Sequence, residues 1–437
     1  MRRTLPLAIV AVVAALGCKR SEPSPAAPLP SAQPAPDLGN AKKLALADPS
    51  GTADVDGVIR QLQATLKKSP NEPDHFILLG RAWVRKARET ADPGYYLQAE
   101  ACADFVLDMD PDSALGRGLR AHVWVNEHRF AEAKDLAEQA LARSPQDLVA
   151  LGVLADAQLE LGRYDDAEST IQRMVDVKPS LPAYIRAYYV RWLRGDRAQA
   201  KKIVRLAIDA GRDGKDREPG AWALTQAAMI FLQEGDYEGA DAGFDTALAR
   251  FASYPPALAG KGRVALARGD GKAAVAHLTR AFADSPLVET AWLLGDAHEL
   301  AGDAEGAKRA YAEVERRGRA TDHRTLALFY AVKNQRADEA VKLLEGERKV
   351  RGDIYTDDAY AWALFRAGKL AEAKAASDRA LRLSTKDASL LYHAGAIRLA
   401  SGQREGLALV EEALALHPKF DVTGAREAAA LVREHKK

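Results

Sequence analysis

Cysteine is almost missing from this chain of 437 residues, in which it occurs only at Cys18 and Cys102. A fold held together by several disulfides is therefore excluded.

An excess of charge of one sign is missing too, because 62 Lys and Arg residues are balanced by 61 Asp and Glu residues. A chain without a basic excess is a poor candidate for binding nucleic acid, so we expect no nucleic-acid partner.

Long hydrophobic runs are also rare, and the clearest one lies at the N terminus. Residues 5–16 form an apolar run behind Arg2 and Arg3 that is too short to span a bilayer as a helix, and Cys18 follows closely. This order resembles a bacterial lipoprotein signal. The resemblance implies a signal peptide over residues 1–17, lipidation of Cys18 and, because Lys19 follows, an outer-membrane anchor facing the periplasm or the surface. A plain secretory leader with an incidental cysteine is the alternative.

A proline-rich segment follows the predicted cleavage site. Six prolines lie between Pro23 and Pro36, and such a composition favours an extended chain that builds no core. We therefore predict a tether over residues 18–53. Fully extended, its proline-rich part would hold the folded part on the order of 60 Å from the membrane.

The rest of the chain repeats itself at a nearly constant period. Glycines at predicted helix–helix turns mark that period: Gly162, Gly195, Gly235, Gly269, Gly302, Gly368 and Gly402. Five residues after each turn stands a small residue, where two helices must approach closely: Ala133, Ala167, Ala200, Ala240, Ala274, Ala307, Ala340 and Ala373, with Ala99 in the first unit. The first unit carries extra residues around 88–95.

This pattern resembles the tetratricopeptide repeat, a pair of antiparallel helices with a period of about 34 residues and small residues at two fixed places. The resemblance implies an all-α, right-handed solenoid of about ten helix-turn-helix repeats over residues 74–419. We expect an opening helix over 54–68 and a closing helix over 421–435. The predicted solenoid divides into an N-terminal part, 54–220, and a C-terminal part, 221–437.

Catalytic and metal-binding motifs are missing. The sequence has no glycine-rich phosphate loop, no H-E-x-x-H and no G-x-S-x-G. We therefore expect no enzymatic activity, no catalytic residue, no metal site and no cofactor.

The family resemblance implies that certain places on the first helix of each repeat face a ligand in a concave groove. Those places hold Tyr189, Trp192, Trp222, Met229, Arg263, Trp292, Asp296, Phe329, Tyr355, Trp362 and Tyr392. Aromatic side chains and Arg are common at binding hot spots. The alternative is that some of these side chains pack between repeats instead.

These observations favour a membrane-anchored adaptor that binds a protein or an extended peptide in the cell envelope through an aromatic groove. One alternative is an envelope protein whose groove encloses a saccharide or a lipid, as a binding protein or as an enzyme. Another is a cytoplasmic scaffold whose leader is misread. The sequence favours no particular partner, pathway or oligomeric state.

Overall fold

The computed structural model describes residues 38–436 except residues 52, 91 and 215. The predicted signal peptide, Cys18 and the proline-rich part of the tether lie outside the described residues. Within them the chain forms 23 α-helices and no strand. The first twelve helices are α1 Leu38–Ala45, α2 Asp54–Lys68, α3 Pro73–Thr90, α4 Tyr95–Met109, α5 Ala114–Asn126, α6 Phe130–Arg143, α7 Leu148–Glu160, α8 Tyr164–Val177, α9 Leu181–Leu193, α10 Arg197–Gly211, α11 Arg217–Gln233 and α12 Tyr237–Arg250. The others are α13 Pro255–Arg268, α14 Gly271–Asp284, α15 Val288–Leu300, α16 Ala304–Thr321, α17 His323–Val332, α18 Ala337–Glu347, α19 Ile354–Arg366, α20 Leu370–Ala380, α21 Ala388–Ala400, α22 Gly406–Leu416 and α23 Gly424–His435.

The helices from α3 to α22 form ten consecutive pairs, which we number repeats 1 to 10. This confirms the predicted all-α solenoid and its repeat count. The predicted opening helix is α2, over residues 54–68. The closing helix, α23, begins at Gly424, slightly later than the predicted start at 421.

The turns inside the repeats follow the predicted glycines. All seven marker glycines adopt a left-handed backbone, with φ between 71° and 80°, which glycine adopts without steric cost. Where glycine is missing, His128 in repeat 2 and Asn334 in repeat 8 take φ of 63° and 49°. The nine column alanines are buried, and the helices approach closely: a Cβ added to Gly295 would lie 2.1 Å from the ring of Tyr311.

The predicted tether boundary at residue 53 is wrong, because residues after 37 already belong to the folded body. Helix α1 packs on repeat 1 and buries Ala41 and Ala45. The carbonyl oxygen of Ala45 accepts a hydrogen bond from the indole nitrogen of Trp83 at 3.0 Å. The side-chain amide of Gln63 donates to the carbonyl of Ala47 at 2.7 Å.

The division predicted at residues 220 and 221 is not a domain boundary. Residues 37–437 form one compact unit, and α11 runs through the predicted junction. The loop before α11 is tied to the next repeat, because the guanidinium of Arg250 donates to the carbonyls of Gly211 at 2.8 Å and Arg212 at 2.9 Å.

The ribbon of repeats coils until its second turn packs on its first. The internal turns of repeats 3, 4 and 5 touch the linkers that follow repeats 8, 9 and 10, and we call this contact the inter-turn seam. At repeat 3 the amide of Gly352 donates to the carbonyl of Glu160 at 2.8 Å. The amide of Ile354 donates to the hydroxyl of Tyr164 at 2.9 Å across 190 residues of chain. The sequence period did not predict this seam.

Candidate functional site

The inner surface of the superhelix is the candidate site, since the first helices of repeats in both turns contribute to it. Tyr189 on α9 is close enough to Arg324 on α17 and to Asp353 before α19 for their charges to act on its hydroxyl. Burial by the surrounding protein raises the pKa of Tyr189 well above its usual value, and the carboxylates of Glu160 and Asp353 add to the effect. Even so, 36 % of its surface is exposed. Tyr189 therefore borders a solvent-accessible recess inside the molecule.

Six of the eleven predicted groove residues keep accessible surface in the structure: Tyr189, Trp222, Met229, Arg263, Trp292 and Tyr355. They lie on α9, α11, α13, α15 and α19. The other five are buried, with exposed fractions of 3 % for Trp192, 7 % for Asp296, 1 % for Phe329, 1 % for Trp362 and 2 % for Tyr392. For these five the structure shows the alternative interpretation, packing between repeats.

Trp362 and Tyr392 are buried because the end of the solenoid folds over them. The indole of Trp362 lies between the ring of His393, at 4.2 Å, and the ring of Phe365, at 5.1 Å. The hydroxyl of Tyr392 donates to Glu427 on the closing helix at 2.6 Å. A pocket of about 410 Å³ remains beside them.

Asp296 and Phe329 are likewise held by their neighbours. The carboxylate of Asp296 accepts a hydrogen bond from the hydroxyl of Tyr311 at 2.7 Å and pairs with Lys333 at 2.8 Å. Burial raises the pKa of Asp296, and the charge of Lys333 opposes that rise. The ring of Phe329 lies between the rings of Trp292, at 5.6 Å, and Tyr311, at 5.3 Å. Both residues therefore stabilise contacts between repeats 7 and 8.

The accessible part of repeats 6 and 7 combines an ion pair with an aromatic side chain. Arg263 pairs with Glu289 at 2.6 Å, and this contact lowers the pKa of the Glu289 carboxyl. Trp292 stands one helical turn further along α15, on the same face of the helix. Its indole nitrogen has no hydrogen-bond partner among the described residues.

Other charged pairs, which were not predicted from the sequence, line the inner surface. Arg186 binds Asp156 with two hydrogen bonds, of 2.8 and 2.6 Å, and Arg324 lies 3.4 Å from Asp353. A signal for the first pair was present in the sequence, because a glycine, Gly152, stands inside helix α7, where glycine usually marks a close approach. A Cβ there would lie 3.2 Å from the guanidinium of Arg186, so glycine leaves room for that side chain.

Two further observations concern metal binding and membrane insertion in the described residues. They contain no group of three or more His, Cys, Asp or Glu side chains arranged to hold a metal ion. None of their helices is long and apolar enough to cross a membrane.

The ten helix pairs and the inner surface that they enclose are those of an α-solenoid built from helical hairpins. Two stretches, residues 125–188 and 225–288, match the family model of the tetratricopeptide repeat. The chain therefore contains tetratricopeptide repeats.

Solved structures give more distant likenesses. PilW, described as a widely conserved type IV pilus biogenesis factor, is 16 % identical with a TM-score of 0.40, and the match covers 48 % of this chain and 95 % of PilW. Human IFIT1 is 14 % identical with a TM-score of 0.46, covering 87 % of this chain and 94 % of IFIT1. Pseudomonas aeruginosa PilF is 18 % identical with a TM-score of 0.37, covering 55 % and 97 %. No curated protein matches the sequence.

Proposed function

We propose that this protein is a lipid-anchored interaction scaffold of the bacterial cell envelope, which binds an extended segment of a partner protein on its inner surface. Tetratricopeptide repeats support the coarser part, a scaffold for protein interactions. The anchor and the envelope location rest on the leader and on Cys18.

The observation that carries the proposal is a set of aromatic and charged side chains that keep accessible surface on the first helices of repeats 4, 5, 6, 7 and 9: Tyr189, Trp222, Arg263, Trp292 and Tyr355. Tyr and Trp offer large contact area at low entropic cost. The pairs Arg263–Glu289 and Arg186–Asp156 place charge of both signs beside them. Such a surface suits a polypeptide, which presents apolar side chains and backbone polar groups along its length.

No reaction is part of the proposal. The carboxylates of Asp156 and Glu289 on the inner surface are engaged by Arg186 and Arg263. We therefore propose a binding role without catalysis.

Co-purification tests the binding site. The full chain carrying Tyr189→Ala and Trp292→Ala should lose nearly all of each stoichiometric protein partner that the unaltered chain retains. The control is Leu206→Ala, which changes a side chain that is 47 % exposed on α10, a second helix of its repeat. Retention of every partner in the double variant would show that the inner surface is not the binding site. Recovery of glycan in place of protein would favour the saccharide-binding alternative.

Membrane fractionation tests the anchor independently. Cys18→Ala should move the protein from the membrane fraction to the soluble fraction, because several acyl chains anchor a protein stably and an unmodified leader does not. Metabolic labelling with a fatty acid should fail in the same variant. A variant that stays in the membrane fraction contradicts lipidation at this residue.

A further inference from the structure

The inter-turn seam repeats one kind of contact along its length. An aromatic ring at the first position of the second helix in a first-turn repeat is covered by a side chain of the second turn. Arg351 lies 4.9 Å from the ring of Phe130, and Arg382 lies 5.3 Å from the ring of Tyr164. The ring of His417 lies 5.8 Å from that of Tyr237.

Linker residues of the second turn fill the space next to the turn glycines of the first. A Cβ on Gly162, Gly195 or Gly235 would meet atoms of Gly352, Ser384 or Pro418 within 3.2 Å. The seam thus receives short extended stretches of chain, with small residues or proline at the closest approach.

At repeats 1 and 2 the seam widens into a cleft of about 960 Å³. In repeat 1 the corresponding ring is that of Tyr96, the second residue of α4, which stands three residues before the column alanine Ala99 as Tyr164 stands before Ala167; it lies at the first wall of the cleft. The opposite wall is the linker after repeat 6, Pro286 to Val288, in which Leu287 is 50 % exposed. The extra residues of repeat 1, around 88–95, contribute several residues of the first wall, including Asp92 and Pro93. The closed end of the cleft is the ion pair between Glu160 and Arg351, where the seam begins.

The cleft has no net charge. It is lined by equal numbers of arginines and carboxylates. The arginines are Arg88, Arg316, Arg317 and Arg351, and the carboxylates are those of Asp92, Glu160, Asp284 and Asp322. The remaining titratable side chain that faces it, apart from its tyrosines, is His128. Burial and then the charge of Arg351 lower the pKa of His128 to about 4, so it is neutral at pH 7. A cleft whose charges cancel offers no excess of positive charge to a nucleic acid or an anionic lipid headgroup.

We propose that this cleft binds an extended, uncharged segment of a partner protein, rich in small residues and proline with an apolar side chain to cover Leu287. Two observations carry the proposal: the cleft continues an interface that already receives such stretches of chain, and its charges cancel. None of the predicted groove residues lines this cleft, so the proposal stands whether or not the inner surface binds a partner.

Site-specific photo-crosslinking tests the proposal in the cells that produce the protein. A photoreactive amino acid replaces Ala320, an exposed residue of the cleft wall. A second full-length variant carries it at Leu300, which is 40 % exposed and lies outside the cleft. Adding Leu287→Asp to the first variant puts a charge into the cleft without harming the fold, because residue 287 is the N-cap of α15 and Asp is favoured there.

The expected result is a crosslink from residue 320, and not from 300, to one segment of another protein. Mass spectrometry should assign that segment an uncharged sequence containing Gly, Ser or Pro, and Leu287→Asp should lower the yield at least tenfold. The proposal is overturned by a crosslink to a charged segment, to a second copy of this chain, to lipid or to nucleic acid. It is equally overturned if Leu287→Asp leaves the yield unchanged or if no crosslink forms.

Discussion

The hydroxyl of Tyr164 is a single group that joins the two turns of the superhelix. It accepts a hydrogen bond from the buried amide of Ile354 at 2.9 Å. Burial, chiefly, raises the pKa of Tyr164 well above its usual value, so the group stays neutral under ordinary conditions. Tyr237 occupies the same place in repeat 5, but its buried hydroxyl has no hydrogen-bond partner among the described residues.

These two tyrosines give a matched prediction. Tyr164→Phe leaves the amide of Ile354 buried without an acceptor, which should lower the free energy of unfolding by about 1–3 kcal/mol. Tyr237→Phe removes a hydroxyl that already lacks a partner, so it should be neutral or slightly stabilising. Urea unfolding followed by circular dichroism measures both. Equal effects of the two substitutions would contradict the bond across the seam.

At the scale of the element, the turn glycines fall into two classes. Those of repeats 3, 4 and 5 lie under the second turn, whereas a Cβ on the glycines of repeats 6, 7, 9 and 10 would meet nothing within 4 Å. All seven have a left-handed backbone. The first class therefore carries a packing role in addition to its conformational one.

Alanine substitution separates these two roles. Gly368→Ala should cost about 1–2 kcal/mol, the strain of a left-handed alanine. Gly162→Ala carries the same strain and also places a Cβ 2.2 Å from the carbonyl oxygen of Gly352. We expect it to cost about 1–3 kcal/mol more. Thermal or urea unfolding of the two variants gives the difference, and a difference of zero would mean that the seam does not form at this turn.

The helix pairs and their turns could be predicted from the sequence because their signals are local. Each marker glycine follows an amphipathic run, and a column alanine stands shortly after the turn. The seam could not be predicted, since its partners are separated by about 190 residues and no period connects them. The burial of Trp362 and Tyr392 was missed for a related reason: the closing helix that binds Tyr392 lies outside the repeat.

The groove prediction was limited by geometry of the same kind. The position of a residue within its repeat does not distinguish a side chain that faces the inner recess, such as Tyr189, from one that packs between neighbouring repeats, such as Trp192. That distinction depends on the coiling of the whole ribbon. The charged pair of Arg186 and Asp156 shares the inner surface, and the glycine at residue 152 is its local signal in the sequence, because the two members stand 30 residues apart.

At the scale of the whole molecule, the seam makes stability depend on pH. His417 is 7 % exposed, and burial lowers its pKa to about 4. The unfolded chain binds a proton near pH 6.5, whereas the folded chain binds it only near pH 4. Between these values the unfolded state holds more protons, so stability should be complete above about pH 6.5 and fall as the pH drops towards 4.

His417→Phe keeps a ring against Tyr237 and removes the titration. It should flatten the fall in melting temperature between pH 6.5 and 4, by an amount that corresponds to at most about 3 kcal/mol. His435→Phe on the closing helix, where residue 435 is exposed, is the control and should keep the original slope. Identical slopes in all three proteins would mean that His417 is not buried in solution.

The seam also decides whether the protein behaves as one cooperative body. The stability of a linear array of repeats depends on interactions between neighbouring repeats. In this protein, contacts between repeats 3 and 8 also contribute to the stability. Gly352→Glu should split the seam, because a Cβ at 352 would lie 2.6 Å from the carbonyl oxygen of Leu161. Small-angle scattering should give a larger radius of gyration. Hydrogen exchange should accelerate at the amides of residues 352 and 354.

Gly346→Glu is the control, since a Cβ there meets nothing within 4 Å. A Gly352→Glu variant as compact and as slowly exchanging as the control would show that the two turns do not pack on each other in solution.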